Sequence, residues 1–461
     1  MLNWDIDLVL IHLIFFPYDE RTSGRRKSHG AGGGLPQGLK MSFLCLIVCV
    51  LLILFKIYLK SFYRYQGVYM DSMSPIVERL VSRFGYEKSQ YAVVIDAGST
   101  GSRVLAYKFH RSILGELFLL CTVRWTFNFN LFQIIHLFWM KNYLRNYEDW
   151  IFEPFCFLSF RQNGLRLLWS KANNILNTIR ELFQKSEFVV DNNAVEIMDG
   201  TDEGIFSWFT VNFLLGRLSK SNQAAALDLG GGSTQVTFSP ADPEQVPIYE
   251  KYIHPVHTLN RNINVFTHSY LGLGLMAIRH AVFTHNLPKN QTVLESECVN
   301  PIVRNKSWTY SNVEYQISGE DNDASTVENP VVNFEVCLDL IKSIVIPLVK
   351  PKPLTLKQHT VAAFSYYFDR AIESGLVDPF QGGEISVEDY RNKAKEVCSI
   401  PNTEQPFMCL DLSFISVLLR EGFGLGDKKK IKLYKKIDGH EISWALGCAY
   451  NVLTSNERFN S

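Results

Sequence analysis

The sequence predicts an α/β protein with two phosphate-loop hairpins, preceded by one N-terminal transmembrane helix. Three observations carry this reading. Val94–Leu105 (VIDAGSTGSRVL) and Ala225–Phe238 (AALDLGGGSTQVTF) repeat one pattern: a strand-like apolar run, an Asp, a glycine turn with hydroxyls, and a second strand-like run. Segments of helical spacing follow each copy. Met41–Phe55 (MSFLCLIVCVLLILF) is unbroken apolar except for Ser42.

Composition narrows the class. The chain has 461 residues, enough for two or three domains, and a 47% apolar share that suits a packed core. Formal net charge is zero, so no nucleic-acid partner is expected. None of the nine cysteines forms a CxxC pair or a His/Cys spacing that suggests zinc. The sequons Asn290-Gln-Thr and Asn305-Lys-Ser fall in polar, loop-like sequence, and with a membrane segment they favour an oxidising, glycosylating compartment.

Taken in order, residues 1–40 read as a basic, Gly-rich cytosolic tail. Residues 41–59 give a span of roughly 19 residues, with Lys56 able to snorkel, which is enough for one crossing. Arg21, Arg25, Arg26 and Lys27 before it place the N-terminus in the cytosol and the rest of the chain on the far side; a cleaved signal peptide is the alternative reading. Residues 60–87 are a polar connector.

Tyr91–Asp96 and Val104–Phe109 read as strands around the Gly98–Ser102 turn. Strand–loop–strand, without the Gly-Lys-Ser/Thr signature, sets this apart from a P-loop. Gly98, Ser99, Thr100, Gly101 and Ser102 form one phosphate loop, and Gly230, Gly231 and Gly232 the other. Glycines there let the backbone approach a ligand, and successive N–H groups form an anion nest. Asp96 and Asp228, each two residues before a glycine, are positioned to hold a metal ion on a phosphate. A purely structural turn is the alternative for either loop alone.

Residues 111–163 break character. Fourteen of the fifty residues 111–160 are aromatic, well above a globular share, and no period of 3.6 or 2 emerges. This stretch is expected to be an anomalous insert, retained intron sequence or a mis-joined gene model. Helices are expected near 165–182, 205–215, 270–283, 330–349, 413–421 and 441–453. Asp199, Asp202 and Glu203 make an acidic turn before the second of these. A solvated loop is one reading. The other makes Glu203 a general base, since it sits at the mouth of an apolar helix between the two loops.

The paired loops resemble the superfamily of actin, Hsp70 and sugar kinases. The further segments MDGTDEGIFSWFTVNFLLG (198–216), YLGLGL (270–275), AFSYYFD (363–369), CLDLSFI (409–415) and SWALG (443–447) follow in order. With them the chain resembles the apyrase, or nucleoside triphosphate diphosphohydrolase, family over roughly 88–110 and 164–456, and most closely its lumenal nucleoside-diphosphatase members. The resemblance implies two actin-like (ribonuclease H-like) lobes, 88–198 with 431–461 and 199–430, around a nucleotide cleft. It implies that Glu203 activates water, that Ser233 and Gln235 hold that water, and that Asp96 and Asp228 bind Ca²⁺ or Mg²⁺. It places Phe364, Tyr366 and Tyr367 in the base-binding motif, with core packing as the alternative for each. It pairs Cys298 with Cys337 and Cys398 with Cys409, leaving Cys448 a buried thiol.

The implied reaction is hydrolysis of the terminal phosphate of UDP or GDP in the Golgi or endoplasmic reticulum lumen, or after cleavage and secretion, by a monomer or weak oligomer. An exopolyphosphatase or phosphotransferase of the same superfamily and a catalytically impaired nucleotide-binding homologue are the alternatives. The chain departs from the family at Arg161–Asn163, where Ala-Thr-Ala is expected before Gly164.

Overall fold

The glycine turns close hairpins, and two sheets grow from them. The computed structural model describes residues 90–98, 101–111, 117–127, 155–160, 169–185, 190, 194–240, 249–258, 262–288 and 290–460. The described residues all belong to one compact unit, 69–461. The expected membrane segment 41–59, the connector, and Ser99 and Thr100 lie outside the described residues. Among those described, no helix is long and apolar enough to cross a membrane.

The first sheet holds β1 (Gln90–Gly98), β2 (Gly101–Arg111), β3 (Leu117–Phe127), β4 (Phe155–Phe160) and β5 (Val195–Ile197), in the order β3-β2-β1-β4-β5. α1 (Trp169–Gln184) lies between β4 and β5 in sequence, and α2 (Gly200–Leu214) follows β5. The second sheet begins with β6 (Ala225–Leu229), β7 (Ser233–Phe238), β8 (Ile253–His257) and β9 (Asn262–Leu271). α3 (Leu275–Phe283) leads to a small sheet of β10 (Val293–Ser296), β11 (Lys306–Tyr310) and β12 (Val313–Gly319). Then come α4 (Phe334–Leu348), β13 (Val361–Ser365), α5 (Tyr366–Glu373), β14 (Gly383–Ser386), α6 (Val387–Cys398), α7 (Met408–Val417) and β15 (Lys430–Leu433). The ribbon β16 (Lys436–Ile437) and β17 (His440–Glu441) precedes α8 (Trp444–Asn460). The second sheet runs β14-β15-β13-β6-β7-β9-β8.

The two sheets share a plan. β3-β2-β1-β4-β5 reads antiparallel, antiparallel, parallel, parallel, and β9-β7-β6-β13-β15 reads the same. β3 and β4 therefore occupy the places that β9 and β13 hold in the second sheet. Both come from the aromatic stretch 111–163. The described parts of the expected anomalous insert thus pair as strands of the first sheet. LFLLCTVRWTF and FCFLSF are strands by pairing; only Thr122–Phe127 shows the polar–apolar alternation of a strand.

Alternate residues of the second sheet serve two cores. Ala225, Leu227, Leu229 and Val236 face one core with α3, α4 and α7, while Ala226, Ala362 and Phe364 face the other with α2 and α8. α2 is fixed between neighbours. Asn212 donates to Ala224 O at 3.0 Å and accepts from Ala224 N at 2.8 Å. Thr210 donates to Ser443 O at 2.8 Å and accepts from Gly447 N at 2.9 Å. α8 packs on both α2 and β1. Trp208 and Trp444 are buried in this second core, as expected of core residues.

The expected helices appear with shifted ends. At 270–283 the start moves because Tyr270 and Leu271 close β9 before α3 starts, and the closing helix runs on from 453 to Asn460. α6 had no counterpart in the sequence reading, although Ser386 and Asp389 form a capping box at its start. The two disulfides form as expected, Cys298–Cys337 and Cys398–Cys409, and Cys448 is a buried free thiol.

Candidate active site

The second hairpin sets a row of side chains on one face of its sheet. Asp228 is paired with Gln235 across β6–β7, and Gln235 with Ser269 across β7–β9. Directly opposed residues share a face. α2 lies on that face with two residues one turn apart touching the row. Gln235 Nε2 donates to Glu203 Oε2 at 2.8 Å, and Ser207 Oγ donates to Asp228 Oδ2 at 3.4 Å. Gln235 Nε2 also lies 2.9 Å from Ser233 Oγ and 3.0 Å from Ser269 Oγ. Glu203, Asp228 and Gln235 are all buried. The structure thus joins the three expected catalytic residues, Glu203, Ser233 and Gln235, in one hydrogen-bonded cluster.

The acidic turn resolves into three different jobs. Asp199 is the N-cap of α2, its carboxylate accepting from Thr201 N at 2.8 Å. Asp202 is exposed. Glu203 alone turns into the row, its backbone N–H bonding Asp199 O at 3.0 Å. Two glycines permit this approach. A Cβ on Gly204 would come 2.4 Å from Thr267 Oγ1 and 2.8 Å from Thr237 Oγ1, and one on Gly200 would come 2.5 Å from Ser269 Oγ. The sequence reading missed Gly200, Gly204, Ser207 and Ser269. Glycines four apart at the start of an apolar helix were the available signal, since they strip one helical face for close packing.

The Gly230–Gly232 loop is held by its carbonyls. Leu275 N bonds Gly230 O at 2.9 Å, Met276 N bonds Gly231 O at 2.9 Å, and Gly272 N bonds Gly232 O at 2.9 Å. The first N–H groups of α3, which have no partner within the helix, are satisfied this way. In a trans peptide the C=O and the next N–H point in opposite directions. The Gly231 and Gly232 N–H groups therefore face away from α3, and neither has an acceptor among the described residues. Gly274 makes the packing possible, because its Cβ would meet Ser233 N at 2.3 Å. None of Gly230, Gly231 and Gly232 has a positive φ, so the expected left-handed nest does not form; what the loop offers a ligand is the outward Gly231 and Gly232 N–H groups.

In the first hairpin Asp96 is buried and paired with Arg103 across β1–β2, and Gly98 is paired with Gly101. Burial pushes the Asp369 carboxyl at α5 above the usual range, against the pull of Arg370, Lys435 and Arg103. Arg103 of the first sheet is thus within electrostatic reach of a helix of the second. Among the described residues no group of three or more His, Cys, Asp or Glu is set to hold a metal. Asp96 and Asp228, the carboxylates expected to hold a hard cation, are both buried, and Asp228 Oδ1 has no hydrogen-bond partner among the described residues. Few protein oxygens suit a cation that keeps its water.

The base-binding expectation narrows. Phe364 is 1% and Tyr367 0% exposed, each inside a core, so neither offers a face to a stacked base. Tyr367 is locked further, as its carbonyl accepts from Tyr390 Oη at 2.6 Å. Tyr366 alone keeps part of its ring in solvent, with the Arg370 guanidinium 5.9 Å from its centroid. Asn290 and Asn305 are both exposed.

The chain is similar to known proteins over most of its length. The model of the GDA1/CD39 (nucleoside phosphatase) family matches residues 159–459. The chain is 34% identical over 425 residues to human "Nucleoside diphosphate phosphatase ENTPD5", covering 85% of this chain and 92% of that protein. It is 35% identical over 390 residues to mouse "Ectonucleoside triphosphate diphosphohydrolase 6", covering 80% and 83%. A crystal structure of a nucleoside triphosphate hydrolase from Neospora caninum shares the fold, with a TM-score of 0.53 at 14% identity over 84% of this chain and 97% of that one. With a hydrogen-bonded Glu–Gln–Ser cluster beside a glycine loop and a family match over more than half its length, the chain belongs to the GDA1/CD39 nucleoside phosphatase family.

Proposed function

We infer that the chain hydrolyses the terminal phosphate of nucleoside diphosphates, UDP and GDP ahead of triphosphates, releasing nucleoside monophosphate and phosphate. The observation that carries this is the 2.8 Å bond from Gln235 to Glu203 beside the glycine loop. It holds a buried carboxylate where a water could lie between it and a bound phosphate. The preference for diphosphates draws on the relative named a nucleoside diphosphate phosphatase.

The residues divide the work. The Gly231 and Gly232 N–H groups, with the Gly98–Ser102 loop opposite, take the phosphate oxygens and neutralise their charge. Gln235 and Ser233 position a water in line with the leaving oxygen. Glu203 removes its proton as it attacks phosphorus. Asp96 and Asp228 would hold Ca²⁺ or Mg²⁺ through coordinated water, and the ion supplies charge neutralisation on the phosphates when bound. Tyr366 is the residue available to stack on a base, and stacking tolerates several bases.

The duplicated sheet plan supports two lobes, 88–198 with 431–461 and 199–430, closing on the nucleotide. Membrane anchorage by 41–59, a lumenal setting in the Golgi or endoplasmic reticulum, and glycans on Asn290 and Asn305 complete the proposal. Two disulfides and two exposed sequons support that compartment.

A second reading is a nucleotide-binding homologue with impaired turnover. It is favoured by Arg161–Asn163 standing where the family has Ala-Thr-Ala. Phosphate release by the full chain in detergent, with UDP, GDP, ADP and ATP and either cation, separates the two. Turnover fastest on UDP or GDP supports the first reading; nucleotide binding without phosphate release supports the second.

A further inference from the structure

Gln235 carries two amide hydrogens, and three oxygens lie within bonding range of its nitrogen: Glu203 Oε2 at 2.8 Å, Ser233 Oγ at 2.9 Å and Ser269 Oγ at 3.0 Å. An ionised carboxylate only accepts, so the amino end of the amide has to face Glu203. The carbonyl end, Oε1, then points the other way, and it is buried without a partner. A buried oxygen in that state is a seat for a water hydrogen.

Ser269 is placed by the sheet and confined by the helix. It is the register partner of Gln235 across β7–β9. On its other side lies Gly200, the first residue of α2, where any Cβ would fall 2.5 Å from both Ser269 Cβ and Ser269 Oγ. The helix backbone closes over the hydroxyl and leaves it little room to turn away.

We propose that Ser269 is a positioning residue for the hydrolytic reaction. When Ser233 Oγ, which shares that nitrogen at 2.9 Å, turns to the attacking water, Ser269 Oγ keeps one amide hydrogen of Gln235 while Glu203 Oε2 takes the other, which fixes the amide plane and aims Oε1 at the same water. Ser269 touches neither water nor phosphate; it acts through Gln235. The assignment rests on the hydrolase reading above. It also gives Gly200 a role: a side chain there would displace the hydroxyl that orients the amide.

The test is a double-mutant cycle on the full chain with UDP. Ser269→Ala should lower kcat about tenfold and leave KM within about twofold, the pattern of an interaction used only in the transition state. In a Gln235→Ala background the same substitution should change kcat by less than about twofold, because the group it orients is gone. Loosening the amide also weakens a hydrogen bond to ionised Glu203, so the acid limb of the pH–rate profile should move to higher pH. Ser269→Cys, whose sulfur is a weak acceptor, should fall between. An unchanged kcat in Ser269→Ala, or an equal loss in both backgrounds with a lowered Tm and an unmoved acid limb, would overturn the proposal and leave the hydrolase reading standing. Failure of the unsubstituted chain to release phosphate would remove both.

Discussion

In the first hairpin Asp96 faces Arg103 across the strand pair; in the second Asp228 faces Gln235 at the same offset, seven residues on in each case (96 to 103, 228 to 235). The five strands of the first sheet also match five of the seven strands of the second in order and direction. What differs is the covering helix. α2 lays Glu203 and Ser207 on the second hairpin's row, and Gly200 and Gly204 allow it to lie close. The lesson is that one hairpin frame can be repeated while, among the described residues, a helix lays a carboxylate on only the second copy's row, where the water-activating group is proposed to sit.

Several experiments would break or sharpen that contrast. Removing divalent cations should have the largest effect, since both carboxylates would lose their ion together. Chelation should lower turnover about a hundredfold or more, with recovery on adding Ca²⁺ or Mg²⁺. Gly204→Ala should act on the second hairpin alone. Its Cβ would come 2.4 Å from Thr267 Oγ1, so α2 must shift and carry Glu203 off the row. A displacement of that kind costs about 10²-fold in kcat, and circular dichroism should show the fold retained.

Asp96→Asn and Asp228→Asn compare the two copies directly. If the hairpins hold the ion equally, each should weaken activating-metal affinity by about the same factor, roughly 10-fold or more. A much larger loss at Asp228 would make the second hairpin dominant for metal as well as for water.

The smallest effect lies away from the row. His359 is buried against Phe238, with ring centroids 5.0 Å apart, and burial with Lys429 nearby pushes its pKa down to about 4. The unfolded chain binds the extra proton below about pH 6.5, so this contribution is fully present above that pH and is lost as pH falls toward 4. Tm should therefore decline over that window, and His359→Leu should flatten the decline.

Much of this site is legible in the sequence because it rests on local backbone demands. The Asp–glycine–hydroxyl pattern marks both hairpins, and Glu203 stands out at the start of an apolar helix. Burial is a tertiary outcome, so Phe364 and Tyr367 read as well as Tyr366 for a base until their cores close around them. β3 is hidden for another reason. Thr122–Phe127 (TVRWTF) does alternate polar and apolar, but the run is too short to stand out within the aromatic stretch, and pairing with β2 is what identifies it as a strand. Ser269 is silent in sequence because its meaning comes from register with Gln235. Transcript sequencing across 111–163 bears on the same point, since a genuine coding message there would match the two strands the first sheet uses.

The central claim is that Glu203 activates the water. Nucleotide binding and phosphate release measured side by side in Glu203→Gln test it most directly. A carboxamide keeps the shape and removes the base, so kcat should fall by about 10²–10⁴ while UDP affinity stays within a few-fold of the unsubstituted chain. Retained turnover in Glu203→Gln would contradict the account.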